Sequence, residues 1–294
     1  MKVLSKEEAF LAVPESSLCD YKNSKFVIQQ VPYEHTSSYL EGSAKGPSAI
    51  VAASHFVEFY DEELDVETYK SCGIATLQPM DFKDAVDGEA IDLIEKQTSR
   101  LISDEKYVVS IGAEHTVTLG FVKAHAAKYP DLTVVQIDAH SDLRLAYHDN
   151  PYSHASVMAR VHELDIPLVQ IGIRAQCKEE ADLIKSSGNI HTFYAHTIRK
   201  NSNWIADAIS KTGKNVYLTI DADGFDPAIM PAVGTAEPNG LFWVETLEFL
   251  KRLFTEKNVV GFDVVECAPM EGSILSEYTL AKLIYRLIGY QETK

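Results

Sequence analysis

The sequence predicts an α/β fold built on a parallel sheet. Two observations carry that expectation. Eight short, β-branched-rich runs recur along the chain, nearly continuous in apolar residues, as strands buried on both faces must be. Segments with apolar residues at helical spacing lie between them, and strand–helix alternation is the pattern of parallel pairing through crossovers. The first run is 25–31 (KFVIQQV). Before it, 1–24 is the least legible segment, and after it 31–45 reads as loop. Run 73–77 (GIATL) is followed by a helical pattern over 90–101 and then by run 107–111 (YVVSI). Residues 116–128 place Val117, Phe121, Val122 and Ala126 near helical spacing and stop before Pro130, whose ring cannot continue a helix. Runs 132–137 (LTVVQI), 168–171 (LVQI), 190–193 (IHTF) and 216–220 (VYLTI) follow. A helix over 243–254, an eighth run at 259–264 (VVGFDV) and a helix over 276–290 complete the chain. Eight such units fit an open doubly wound sheet or a barrel, and periodicity does not choose between them. With no linker or low-complexity tract, 1–294 reads as a single domain with 1–24 as an N-terminal extension.

Composition narrows the function classes. The chain has 294 residues, with 27 Lys+Arg against 43 Asp+Glu, a net charge of −16. That balance argues against a nucleic-acid or anionic-membrane surface and suits a small cationic partner. No apolar run reaches the roughly 18 residues of a membrane span, and the N-terminus lacks a signal-peptide pattern, so the expected compartment is cytoplasmic. Cys19, Cys72, Cys177 and Cys267 form no C-x-x-C pair and read as reduced thiols.

The chemistry collects where strands end. Run 107–111 leads into Gly112-Ala113-Glu114-His115, and run 132–137 into Asp138-Ala139-His140-Ser141-Asp142. Run 216–220 leads into Asp221-Ala222-Asp223-Gly224-Phe225-Asp226-Pro227, and run 259–264 into Val265-Glu266-Cys267. A lone Asp after a strand is ordinarily a turn or cap residue. Asp138, His140 and Asp142 are spaced i, i+2, i+4, which in extended backbone puts all three on one face. Packing them with Asp221, Asp223 and His115 is costly unless a cation sits among them. Two imidazoles and four carboxylates without a thiolate suit Mn²⁺, with Fe, Co, Ni or Zn as substitutes. Six ligands are too many for one ion that keeps an open position, and they suit a pair.

At this point the chain resembles the ureohydrolases, the family of arginase and agmatinase. The resemblance rests on VVSIGAEHT, VVQIDAHSD, LTIDADGFDPAIMPAVGTAEPNGL, SHASVMARV and DVVECAP, and runs from about Gly46 to near the C-terminus. It implies a three-layer α/β/α domain with a mostly parallel eight-stranded sheet and two Mn²⁺ at the strand ends. His115, Asp138, Asp142 and Asp221 would hold one ion. Asp138, His140, Asp221 and Asp223 would hold the other, with Asp138 and Asp221 bridging. A hydroxide between the ions would attack a guanidinium carbon, oriented by Asp142. Glu266 would pair with the guanidinium, Thr235 would line that end of the pocket, and His154 would pass a proton to the leaving amine. Relatives of this kind form homo-oligomers, trimers or hexamers.

The sequence departs from the family pattern in places. Glu114 replaces an Asp beside the ligand histidine, and His154-Ala155-Ser156 replaces H-G-T. The residues by which arginase grips an α-carboxylate and α-amine are missing: Arg144 stands where arginase has Asn, and Ala175-Gln176-Cys177 follows Gly172-Ile173-Arg174. The expected reaction is therefore agmatine to putrescine plus urea. Arg144 qualifies it. Facing the pocket, it would favour a guanidino acid such as 4-guanidinobutyrate; turned into a salt bridge with an acidic neighbour, the favoured expectation, it leaves agmatine in place. A deacetylase acting on acetylated polyamines would need an adjacent His pair, which is absent. A non-catalytic relative would have lost a ligand or Glu266, and none is lost.

Overall fold

The computed structural model describes residues 1–294. Eight strands form one sheet: β1 Phe26–Val31, β2 Ile74–Thr76, β3 Tyr107–Gly112, β4 Leu132–Ile137, β5 Leu168–Ile173, β6 Ile190–Tyr194, β7 Asn215–Asp221 and β8 Asn258–Val265. Their spatial order is β2-β1-β3-β8-β7-β4-β5-β6, and every adjacent pair is parallel. The sheet is open, with β2 and β6 at its edges, so the barrel alternative is excluded.

Ten helices complete the domain. They are α1 Gly46–Ser54, α2 Tyr69–Cys72, α3 Asp87–Ser103, α4 Thr118–Lys128, α5 Val157–His162, α6 Lys178–Ser186, α7 Ala195–Ile198, α8 Trp204–Ser210, α9 Trp243–Glu256 and α10 Leu275–Glu292. None is long and apolar enough to cross a membrane. The continuous apolar runs are explained by burial on both sheet faces. On β7, Val216, Leu218 and Ile220 enter one core with α1, α8, α9 and α10. Tyr217 points the other way, into a second core with α3, α4 and α5. On β4, Val135 and Ile137 join the first core, and Leu132 and Val134 the second. This period-two division produces three layers, helix on sheet on helix.

The least legible segment is ordered by burial. Val3 forms an antiparallel bridge with Leu77. Phe10 and Leu11 lie in the first core, where Leu11 N–H donates to Ser54 Oγ at 2.7 Å. Residues 10–12 and 16–18 form single 3-10 turns, too short to show a periodicity. The helix expected over 116–128 starts later: His115–Val117 is a tight 3-10 turn, and the α-helix begins at Thr118.

The sheet order positions the site. β3, β8, β7 and β4 are consecutive neighbours at the centre of the sheet. Ile111 pairs with Val264, Val264 with Ile220, and Ile220 with Ile137, so their carboxyl ends finish level. These are the strands that lead into His115, Glu266, Asp221 and Asp138. Open α/β sheets bind ligands at this edge, where strand order reverses.

Candidate active site

Two donor groups form at the carboxyl edge: His115 with Asp138 and Asp142, and His140 with Asp138 and Asp223. Asp138 belongs to both. Its Oδ2 lies 3.0 Å from His115 Nδ1, and its Oδ1 lies 3.7 Å from His140 Nδ1. Asp142 Oδ2 is 3.0 Å and Asp221 Oδ2 3.3 Å from His115 Nδ1. Asp223 Oδ2 is 2.9 Å from His140 Nδ1. Asp221 thus sits on the His115 side, with Oδ1 accepting the Asp223 backbone N–H at 2.8 Å. All six residues come together.

The route to that convergence differs from the extended-strand expectation. β4 stops at Ile137, and Asp142 has φ of +54°, so the stretch from Asp138 to Asp142 is a bend. A continuous strand would align the three side chains; the bend instead sends Asp142 to His115 and keeps His140 with Asp223. Asp142 is held there by its own carbonyl, which accepts the backbone N–H groups of Met158 and Ala159 at 2.9 and 3.1 Å. Glu266 also has a left-handed φ, +63°. Two non-glycine residues in that region store strain of order 1–3 kcal/mol each.

A surrounding shell fixes the donors. His115 Nε2 lies 2.9 Å from Thr219 Oγ1, and Thr219 donates to Asp263 Oδ1 at 2.7 Å. Tyr217 and Thr118 donate to the other Asp263 oxygen at 2.8 and 3.2 Å. Gln136 Nε2 donates to Asp138 Oδ2 at 2.7 Å, and its own carbonyl oxygen accepts from Gln170 at 2.7 Å. Such outer partners set ring orientation and ligand basicity. Arg174 donates to the carbonyls of Asp223 and Glu237 at 2.6 and 2.9 Å, tying the Asp223 turn to the Thr235 loop.

The electrostatics explain why the cluster suits cations. Burial, reinforced by the Asp138 charge, pushes Asp142 up to about 7. Burial with the charges on Asp223 and Asp138 holds Asp221 well above the carboxylate range, and burial raises Glu266 as well. Against the cost of burial, His115 and His140 hold Asp138 well below its ordinary value. Burial opposes charge on His140, but Asp223 and Asp138 overcome it and push it up to about 12. Opposed shifts within one buried cluster mark unbalanced negative charge. Against the cost of burial, Asp138, Asp142 and Asp221 raise His115 well above its ordinary value; its buried Nδ1 faces all three carboxylates with no well-formed hydrogen bond to any of them, while Nε2 is committed to Thr219. This donor set, imidazole and carboxylate without thiolate, fits first-row divalent ions.

Above the donors lies a cavity of about 280 Å³. Its lining includes Asp142, Arg144, His154, Asp221, Asp223, Thr235 and Glu266. Glu266 Oε1 accepts the His115 backbone N–H at 2.6 Å, which leaves Oε2 for a ligand. Thr235 Oγ1 is 3.4 Å from Asp223 Oδ2. His154 opens a 3-10 turn, and burial with the neighbouring His140 and His115 lowers it to about 4, so the ring is neutral near pH 7.

The salt bridge expected for Arg144 does not form. Its guanidinium lies over the Tyr147 ring, 5.4 Å from the centroid, and lines the cavity. Glu180, beside it in the cavity lining, accepts the backbone N–H groups of Leu143 and Cys177 at 2.9 and 2.6 Å, and Glu179 feels the Arg144 charge without forming a salt bridge to it. Sequence reasoning also missed Thr36, Ser38, Tyr147, Thr219 and Asp263. Of these, Asp263 carried a signal: an acid inside a fully buried strand.

The fold and site define a class: an open parallel α/β/α sheet with, at its carboxyl edge, two His/Asp groups that could hold cations and share Asp138. Residues 24–289 match the arginase family. A relative from Synechocystis sp. named N(1)-aminopropylagmatine ureohydrolase is 44% identical over 280 residues, covering 93% of this chain and 91% of the relative. An agmatinase from Bacillus cereus is 36% identical over 259 residues, covering 85% and 86%. The crystal structure of agmatine ureohydrolase of Thermoplasma volcanium superposes with a TM-score of 0.84 at 32% identity, covering 94% of this chain and 93% of that one. The chain belongs to the arginase family. It is a ureohydrolase of agmatinase type, a hydrolase acting on guanidino groups.

Proposed function

We propose that the chain cleaves a linear aminoalkyl guanidine, agmatine or its N(1)-aminopropyl derivative, to urea and the corresponding polyamine, with two Mn²⁺ as cofactor. The observation that supports this most is the cavity floor, where Glu266 stands beside the donor carboxylates and no cation pairs with it. A guanidinium is the group that such a floor attracts. The names of the relatives point the same way.

His115, Asp138, Asp142 and Asp221 would hold one ion, and Asp138, His140, Asp221 and Asp223 the other. When bound, such a pair supplies a nucleophile from water near neutral pH and offsets the carboxylate charge. The chain's own residues do the rest. Glu266 Oε2 takes the guanidinium N–H groups and turns the central carbon toward the donors. Asp142 accepts a hydrogen bond from the attacking water and fixes its direction. Hydrolysis puts the water oxygen on carbon and breaks the bond to the alkyl nitrogen, which must leave protonated. His154, neutral at the cavity wall, takes a proton and delivers it to that nitrogen.

A second reading keeps the mechanism and changes the substrate. Arg144 lines the cavity without a carboxylate partner, a placement that favours a guanidino acid. The test is urea release by the Mn²⁺-reconstituted protein from agmatine, N(1)-aminopropylagmatine, arginine, 4-guanidinobutyrate and 3-guanidinopropionate. The highest kcat/KM is expected with one of the two aminoalkyl guanidines. Highest kcat/KM with a guanidino acid would make Arg144 the carboxylate clamp and overturn the first reading.

A further inference from the structure

The loop after β1 and the residue preceding His115 are joined by a hydrogen-bonded chain that ends on His154. Glu114 is fully buried, and its Oε2 accepts from three donors: His35 N–H at 3.0 Å, Thr36 N–H at 2.7 Å and Thr36 Oγ1 at 3.1 Å. Thr36 Oγ1 in turn lies 3.1 Å from His154 Nδ1 and 3.1 Å from the His154 backbone N–H. A threonine hydroxyl has one proton and two lone pairs. The backbone N–H of His154 is an obligatory donor, so it takes one lone pair. With the hydroxyl proton directed to Glu114, the second lone pair can only be satisfied by a proton on His154 Nδ1. That leaves Nε2 bare. Nε2 lies 3.4 Å from Ser38 Oγ, and both residues line the cavity. The Tyr147 ring meets the imidazole edge-on at 5.8 Å and closes its other side.

We propose that Thr36, anchored by Glu114, is a positioning residue that fixes His154 as the Nδ1-protonated tautomer and presents Nε2 to the leaving nitrogen. This rests on the proton-transfer role of His154 in the function proposed above. The logic is that of an orienting group behind a catalytic histidine, where the partner at one ring nitrogen decides what the other can do. Here a neutral hydroxyl, itself held by a carboxylate, does the orienting. Without it, His154 is free to carry its proton on Nε2, where it cannot accept one from the reaction.

The test has two readouts. Nitrogen-15 NMR of the Zn²⁺-loaded, histidine-labelled protein, with His154 assigned by its loss in His154→Asn, reads the tautomer without turnover. The expected result is a protonated Nδ1 and a bare Nε2. Kinetics of the Mn²⁺-loaded Thr36→Val and Thr36→Ser variants read the consequence. Thr36→Val is expected to lower kcat by roughly tenfold to a hundredfold, part of what a positioned acid–base group contributes, with KM little changed. Thr36→Ser keeps the hydroxyl and retains most of kcat. A proton on Nε2 in the parent protein overturns the proposal, as does equal loss in both variants or none in Thr36→Val. Should Thr36→Val fail to fold or to take up metal, the parent tautomer and the serine variant decide the matter. Absence of urea from any guanidine, with the Nδ1 tautomer observed, would instead overturn the proposed function and leave the hydrogen-bonded chain standing.

Discussion

Asp138 is the residue on which both donor groups depend, with one oxygen toward each histidine. Asp138→Asn is therefore expected to abolish urea release and to lower bound metal, measured by elemental analysis of the purified variant. Glu266 behaves differently. Its Oε1 accepts the His115 N–H, which an amide oxygen can still do, so Glu266→Gln is expected to keep the metals and lose turnover. Loss of metal in that variant would show that Glu266 acts on the donors and not on substrate. At this scale the six clustered residues were legible because each is an acid or imidazole within five residues of the end of an apolar run. Thr36 and Thr219 were not, because a threonine in a loop or strand carries no signal until its partner is known. Arg144 was legible as a problem but not as an answer: its direction depends on tertiary neighbours that spacing does not reveal, here the Tyr147 ring beneath its guanidinium.

At the scale of elements, the turn after β7 must approach β4 closely. A Cβ on Gly224 would sit 2.8 Å from Asp138 N and 3.0 Å from Ile137 C, both backbone atoms that cannot move aside. Gly224→Ala is expected to push the Asp223 turn away from Asp138 and weaken metal uptake, read by titration calorimetry. Beneath the same strands, Asp263 on β8 holds Thr219, which orients His115. Asp263→Asn is expected to weaken metal binding by roughly tenfold to a hundredfold, the usual cost of losing such a partner. Seven of the eight strands were readable because burial on both faces leaves a short apolar run, while edge strand β6, mostly half-buried, was readable from its β-branched and aromatic residues. The short helices α2, α5, α7 and α8 were not readable. Each has seven residues or fewer, under two turns, and too few positions to display a 3.6-residue period. The bend at Asp138–Asp142 was misread for a related reason: i, i+2 spacing is shared by strands and by turns that only begin as strands.

At the scale of the molecule, stability should carry the imprint of one buried imidazole outside the site. His125 is packed beneath Tyr217, donates through Nδ1 to Phe121 O at 2.8 Å, and has no partner at Nε2. Burial lowers it from 6.5 to about 4. The unfolded chain therefore binds a proton that the folded chain refuses, so this contribution is complete above pH 6.5 and lost as pH falls toward 4. Denaturant unfolding at each pH is expected to show the parent losing about 3 kcal/mol more than His125→Gln across that window. Equal losses would mean that the ring is hydrated. The open sheet, its order and the level strand ends account for why residues from four distant segments meet at one edge. Whether sequence could choose between open sheet and barrel came down to the family resemblance, since both present the same alternation. The most direct test of the whole account is the number of divalent ions bound per chain after Mn²⁺ reconstitution, measured together with urea release from agmatine and N(1)-aminopropylagmatine. The account predicts two ions per chain and urea that disappears on chelation and returns with Mn²⁺. Urea released at full rate by the metal-free protein, or two bound ions with no urea from either guanidine, would contradict it.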